Sequence, residues 1–491
     1  MTTRWLFGDQ LGPHFLDRTD QPVLMVEARG VFARRRFHRA KAQLVLSAMR
    51  HRAAELGDQC TYVRADSYAE VLEGFDEPLS VCHPTSHAAL RFVHGRGDIE
   101  VVPARGFATS TDDFDRWVRS RGRGRLLMGD FYRDTRRRLG ILMDGEEPAG
   151  GKWSYDADNQ KPPPRSATLG VPEPNWPVED EIDAEVRHDL DRWEREGRVT
   201  FLGSDGPRRF AATRGESLAS LADFITHRLT GFGPHEDAML SADPWMAHSL
   251  LSAPLNLGLL DPIEVIATAE DAYRNGLAPL GSVEGFIRQV IGWREFVWHL
   301  YWHLPTSHRT RNELQARNPV PGWFADLDAE SVDAACLSEA LVGVRDRGWV
   351  HHIPRLMVLG NYAMQHGWDP AEVTDWFHRA FVDGYDWVMV PNVIGMSQFA
   401  DGGVMATKPY VAGGAYINRM SDYCSSCVYD PRKRVGQDAC PFTAGYWAFL
   451  HRNRERLATN PRMGQALSGL DRLSDLDALI KQEAARGPTA P

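Results

Sequence analysis

Five short apolar runs punctuate the first 130 residues: Trp5–Phe7, Val23–Glu27, Thr61–Arg64, Leu79–Cys82 and Ile99–Val102. Helix-compatible stretches separate them, the clearest from Phe37 to Leu56. Strand-length runs alternating with helices specify a parallel, doubly wound sheet, whose ligands sit beyond the carboxyl ends of the strands. The loop Gly8-Asp9-Gln10-Leu11 directly follows the first run and is either a ligand loop or a simple turn. Beyond Gly206 the strand signal stops. Thr213-Arg-Gly-Glu216 fits a capping box, and Phe286, Val290, Trp293, Val297 and Leu300 recur at helical spacing. Helical signals return at Ala335–Val344, Pro354–His366 and Pro370–Val382. The chain therefore divides into an α/β, Rossmann-like N-terminal domain (1–135), a connector (136–210) and a mainly α-helical C-terminal domain (211–491). The connector carries Pro162-Pro163-Pro164, an acidic stretch and one helix expected around Glu181–Glu196.

At 491 residues, more than one core is expected. The net charge of −10 argues against a surface basic throughout, but charge is segregated. Val171 to Thr200 holds ten Asp/Glu against four Lys/Arg, and Asp401 to Asn460 holds five against eight. The C-terminal region, with Arg432-Lys433-Arg434, could face phosphates or be a solvated loop. The start, MTTRWLFGDQL, lacks the apolar core of a secretory signal, and the most apolar stretch, 283–304, contains four charged residues. These features point to a cytoplasmic protein with no membrane association.

Cys424, Cys427 and Cys440 form C-x2-C-x12-C, one thiolate short of a tetrahedral set. Cys60 and Cys82 lie at expected strands of the other domain, so Cys336, on a helix of the same half, is the best fourth ligand. Zinc and an iron–sulfur cluster both accept four thiolates.

His248–Ser252, the stretch 286–296 (FIRQVIGWREF), His351–Arg355 and Asp383–Asn392 together resemble the flavin-binding half of photolyases and cryptochromes. With NVIGMSQFADGG (392–403), TKPY (407–410), YINRMSDYC (416–424) and the four cysteines, the chain resembles the iron–sulfur branch, the prokaryotic (6-4) photolyases. The resemblance implies the photolyase/cryptochrome fold: an antenna domain, a connector and a helical FAD domain. It implies light-driven repair of (6-4) pyrimidine–pyrimidone photoproducts in UV-damaged DNA by a monomeric carbon–carbon lyase. A cryptochrome-like blue-light photoreceptor and a light-independent iron–sulfur nucleic-acid-binding protein are the alternatives.

Residue by residue, the resemblance implies Cys336, Cys424, Cys427 and Cys440 as ligands of a [4Fe–4S] cluster. It puts Ser249 and Ser252 at the FAD phosphates, and Gln289, Arg294, Arg355, Asp383 and Asn392 around the flavin, with Arg294 and Asp383 as an ion pair. His352, with His351, would protonate the lesion, a task suited to a group titrating near neutrality. Tyr410 and Tyr416 would contact the flipped base, with Leu356 and Met396 shaping the pocket mouth. Trp376 and Tyr385 would carry electrons inward, with Trp323 as an outer station. Gly8, Asp9, Gln10 and Glu27 would hold an antenna, 6,7-dimethyl-8-ribityllumazine.

Overall fold

The computed structural model describes residues 2–122 and 124–491. The five apolar runs become strands β1 (Thr3–Leu6), β2 (Val23–Ala28), β3 (Cys60–Ala65), β4 (Leu79–Cys82) and β5 (Ile99–Val102). They form one parallel sheet in the order β3-β2-β1-β4-β5. Every residue of β1, β2 and β4 is buried, as a sheet covered on both faces requires. The strand order reverses between β1 and β4, which opens a crevice at their carboxyl ends. Gln10 reaches across it and donates from Nε2 to the Cys82 carbonyl (3.0 Å).

The helix Arg39–Leu56 covers one face of the sheet, its first turn capped by the His38 side chain. Against it packs the connector helix Glu181–Arg195, opened by an Asp180–Asp183 capping box. Phe37, Leu46, Val186, Leu190 and Trp193 fill the seam. The acidic stretch thus supplies partners for buried arginines. Arg50 donates to Glu27 (2.9 and 2.7 Å) and Asp189 (2.7 Å), and Arg208 donates to Asp183 (2.8 and 3.0 Å). Removing one member of such a buried pair costs about 3–5 kcal/mol, because the other charge is left in a low dielectric.

Past residue 102, strands among the described residues are limited to the short pair Met143–Asp144 and Glu147–Pro148. The expected capping box at Thr213–Glu216 opens the helix Arg214–Asp223. The long apolar helix runs over residues 280–303 and is interrupted by a π-helical turn at Arg288–Arg294. Three more π segments occupy Phe224–Arg228, Pro354–Gly360 and Val390–Ser397. The turns at Arg288–Arg294, Pro354–Gly360 and Val390–Ser397 carry Gln289, Arg294, Arg355 and Asn392, four of the residues expected at the flavin. A π turn shifts the helical register and so re-aims side chains, which is why such turns collect at functional sites. No helix among the described residues is long and apolar enough to cross a membrane.

Candidate functional site

The short helix Ser252–Asn256 draws three elements together. Ser252 Oγ donates to Asp383 Oδ2 (2.7 Å), Asn256 Nδ2 donates to the Asp383 carbonyl (3.1 Å), and Arg294 Nη2 donates to the Leu255 carbonyl (3.3 Å). Arg355 closes the group with two bonds to the Asp383 carboxylate (2.8 and 3.1 Å), and its guanidinium lies 4.2 Å above the Phe381 ring. The ion pair of Asp383 is therefore with Arg355. Arg294 is instead enclosed by the Gly106 carbonyl (3.0 Å), Glu295 (3.3 Å) and the faces of Phe107 and Trp387. The expected Arg294–Asp383 pair does not form because these partners, with the Leu255 carbonyl, engage the Arg294 guanidinium instead. From the α/β half, Lys41 donates to the carbonyls of His378 (2.9 Å) and Gly384. Burial pushes its ammonium down to about 7, with the Asp383 charge opposing.

Gln289 donates to Glu236 Oε1 (3.1 Å), and burial pushes the Glu236 carboxyl up to about 7 despite Arg288 beside it. Ser249 Oγ accepts the Leu251 N–H (3.4 Å), and Asn392 Nδ2 donates to the Val388 carbonyl (2.8 Å). The structure brings Ser252, Arg355 and Asp383 into one group and leaves Ser249, Gln289, Arg294 and Asn392 around it. Sequence reasoning missed Asn256, whose only signal is an amide buried in an apolar turn. It also missed the ring of His248, stacked on His351 with centroids 4.1 Å apart. Burial pushes His248 down to about 3 and His351 well below its ordinary value. His248 Nε2, His351 Nδ1, Arg294 Nε and Glu236 Oε2 are buried without partners. Such polar atoms call for a ligand rich in complementary groups, so this region fits FAD.

His352 stands apart. Its side chain is half exposed, Nε2 lies 3.6 Å from Asp237 Oδ1, and its ring is 6.3 Å from that of His351. Burial and then the Asp237 charge push up the Tyr416 hydroxyl; for Tyr410, burial leads, followed by Asp156, with Asp237 also raising it. Tyr410 remains over a third exposed, and Leu356 and Met396 are half-buried. Of the expected substrate-side residues, His352 thus has a carboxylate, Asp237, beside it, and Tyr410 is exposed.

The four cysteines converge on a small cavity with Ile417 and Phe442. Cys336 rides the first turn of the helix Ala335–Arg347, and Cys440 is the N-cap of the helix Pro441–Arg452. Gly414 makes the room, since a Cβ there would stand 2.7 Å from Cys440 Sγ. Burial pushes the Cys424 thiol up to about 12 and the Cys336 thiol well above its ordinary value, so a cation is needed to hold them as thiolates. The set offers the four thiolates of a four-cysteine metal centre.

The segments flanking this cavity are tied from the C-terminal side. The Pro491 carbonyl accepts the N–H groups of Asp333 (2.7 Å) and Ala334 (3.0 Å) at the start of the Cys336 helix. Arg434 pairs with Asp475 (2.9 Å), and Gln482 Oε1 accepts the Gly436 N–H (2.8 Å). Arg432 is paired with Asp430 (3.1 Å) and Lys433 with Asp438. Each cation of the basic run has a carboxylate, so the run is locally neutralised.

The expected antenna residues do not fit as a set. Glu27 is spent on Arg50 and on Tyr62, whose hydroxyl donates at 2.5 Å. Asp9, pushed up to about 6 by burial, accepts from Thr85, and Met49 and Val45 fill the space over Gly8. Only Gln10 keeps an unpartnered buried oxygen.

Residues 4–197 match the family of deoxyribodipyrimidine photo-lyase-related proteins. The chain is 38% identical to a (6-4) photolyase of Agrobacterium fabrum, over 96% of this chain and 95% of that protein. Its fold is shared with a bacterial class III photolyase from Agrobacterium tumefaciens (TM-score 0.55, 15% identity, 99% and 96% of the two chains). A Synechocystis cryptochrome is a second structural neighbour (TM-score 0.53, 13% identity, 80% and 82%).

Proposed function

This chain belongs to the (6-4) photolyase family of the photolyase/cryptochrome fold, and from that membership we propose that it repairs (6-4) photoproducts in UV-damaged DNA, driven by light. The observation that carries the reading is the buried Arg355–Asp383–Ser252 group beside unpartnered buried polar atoms, with exposed His352 next to Asp237. Reduced FAD, held by Ser252, Gln289, Arg355, Asp383 and their neighbours, would supply one electron to the damaged pair on illumination. A [4Fe–4S] cluster on Cys336, Cys424, Cys427 and Cys440 would be a structural centre of the helical half. The residues expected to hold lumazine do not fit it, and no step is assigned to an antenna.

The protein's own groups divide the remaining work. Tyr410 and Tyr416 offer aromatic faces and hydroxyls to a base turned out of the duplex, and damaged pairing lowers the cost of turning it out. Of the adjacent histidines, buried His351 is neutral near pH 7 and cannot donate a proton there. Half-exposed His352 is the donor, through Nε2, to the heteroatom that returns between the two bases. His351 and His248 are buried, stacked and neutral beside it. Asp383 compensates Arg355, so the pocket keeps its cationic and anionic groups in fixed positions without paying to reorganise them on illumination.

Blue illumination of the reduced protein with an oligonucleotide carrying a (6-4) lesion tests the reading. Restored pyrimidines are expected, and His352→Ala should bind flavin and abolish restoration. A parent protein that restores none refutes the repair function.

A further inference from the structure

The Asp383 carboxylate stands in a turn with little support of its own. Residues 381–385 link the helix Pro370–Ala380 to the short helix Asp386–Met389, and within them the Gly384 N–H bonds back to the Phe381 carbonyl (3.0 Å). Two consecutive carbonyls of the turn are held from outside it. That of Asp383 accepts from Asn256, and that of Gly384 accepts from Lys41 Nζ, which belongs to the α/β half. The same ammonium donates to the His378 carbonyl (2.9 Å), one of the last four of the helix Pro370–Ala380 and so without a partner inside it. The His38 N–H takes the next carbonyl, that of Arg379 (2.8 Å). The start of the helix Arg39–Leu56 thus caps a helix of the other half and reaches the peptide after Asp383.

Lys41 is buried, and no carboxylate among the described residues forms an ion pair with it. Its ammonium lies 5.0 Å from the Phe37 ring centroid and 5.2 Å from that of Tyr385. Of the charges facing it, Asp383 and Asp386 favour its proton and Arg35 opposes it. All three are engaged elsewhere: Asp383 by Arg355 and Ser252, Asp386 by Tyr301 (2.7 Å) and Arg309 (2.9 Å), and Arg35 by Asp375 (3.3 Å). Burying an ammonium in this way costs stability, which the carbonyl dipoles at a helix C-terminus offset only in part. Methionine would fill the same volume without that cost. It could not donate to the Gly384 and His378 carbonyls, and so could not fix the turn that carries Asp383.

We propose that Lys41 is a positioning residue for flavin retention: it reaches from the α/β half, fixes the Gly384 carbonyl, and thereby holds the Asp383 carboxylate where Arg355 and Ser252 meet it. The inference rests on the photoenzyme reading above, in which Arg355, Asp383 and Ser252 help to hold FAD. It gives the α/β half a part in keeping the flavin that runs through Asp383. Without the ammonium, the turn keeps Asn256 as its one side-chain anchor on the backbone, and the carboxylate exchanges between Arg355 and water.

The experiment titrates FAD onto the flavin-stripped full chain of the parent, Lys41→Met, Asp383→Asn and the double variant. Lys41→Met should raise the FAD dissociation constant about tenfold or more, the loss that accompanies one hydrogen bond from a charged donor. In the Asp383→Asn background the same change should add less than about a factor of two, because the group it positions is gone. The urea midpoint of stripped Lys41→Met should equal or exceed that of the parent, since an unpaired buried charge leaves. Asp326→Asn breaks the Arg36–Asp326 pair, another contact between the halves, and should bind FAD like the parent. Gly384→Ala reaches the turn from its other side, because a Cβ there would stand 2.7 Å from the Phe377 carbonyl, and should match the loss in Lys41→Met. Parent-like affinity in Lys41→Met or Gly384→Ala, losses that multiply in the double variant, or an equal loss in Asp326→Asn would overturn the proposal. A parent that shows this coupling yet leaves (6-4) DNA unrepaired under light would uphold Lys41 and refute the repair reading.

Discussion

Asp383→Asn removes the charge that Arg355 faces, and its cost can be worked from the geometry. The carboxylate accepts two guanidinium bonds and one from Ser252, and the two side chains are 6% and 16% exposed. An uncompensated guanidinium in that setting costs about 3–5 kcal/mol. Ser252→Ala removes a single bond to a charged acceptor and should cost about 1.5–3 kcal/mol. Arg355→Met should match Asp383→Asn, plus about 0.5–2 kcal/mol for the lost stacking on Phe381. In Arg355→Met/Asp383→Leu neither charge remains, so most of the stability should return while flavin content does not. Urea denaturation of the four proteins with flavin absorbance per chain makes the comparison. Additive losses in the double variant would show that the two charges do not depend on each other and would refute the pairing argument.

Cys336→Ser should abolish the broad visible absorption of a cluster and the bound iron, although its ligand partners lie far along the chain; zinc at one ion per chain in the parent would contradict the multi-iron assignment. Replacing Arg432, Lys433 and Arg434 together by alanine should leave the salt slope of DNA binding unchanged, because each already has a carboxylate partner; a shallower slope would place the run on the DNA. Acid should destabilise the protein. His299 and His366, pushed down to about 3 by burial, contribute stability that is whole above 6.5 and is lost as pH falls toward 3, at about 1.4 kcal/mol per pH unit each. Glu236, pushed up to about 7 by burial, acts oppositely, its contribution being whole below about 4.5 and lost as pH rises through 7. Urea midpoints measured from pH 7 to pH 5 should fall, and His299→Gln should flatten the slope.

The sheet was legible because alternation of strand-length apolar runs is a local signal, and β1–β5 fall close to the expected bounds. The four-cysteine set was legible for a different reason, since few residue types can hold such a site. Arg355 as the partner of Asp383 was not legible. Which of two arginines meets a carboxylate depends on π turns that shift each helix's register, and hydrophobic spacing does not report them. Glu27 misled because a carboxylate after a strand looks free until Arg50 and Tyr62, from elsewhere in the fold, converge on it.

The Pro491 carbonyl caps the helix that bears Cys336, and this fixes when the cysteine site can exist. During synthesis Cys336 emerges first, Cys424, Cys427 and Cys440 follow much later, and the contacts from Asp475, Gln482 and Pro491 follow those. The α/β half can fold while the ribosome is still making the helical half, since its sheet contacts are complete by residue 102. The cysteine site cannot. Its thiols come from segments about a hundred residues apart along the chain, so the site can form only after the sheet.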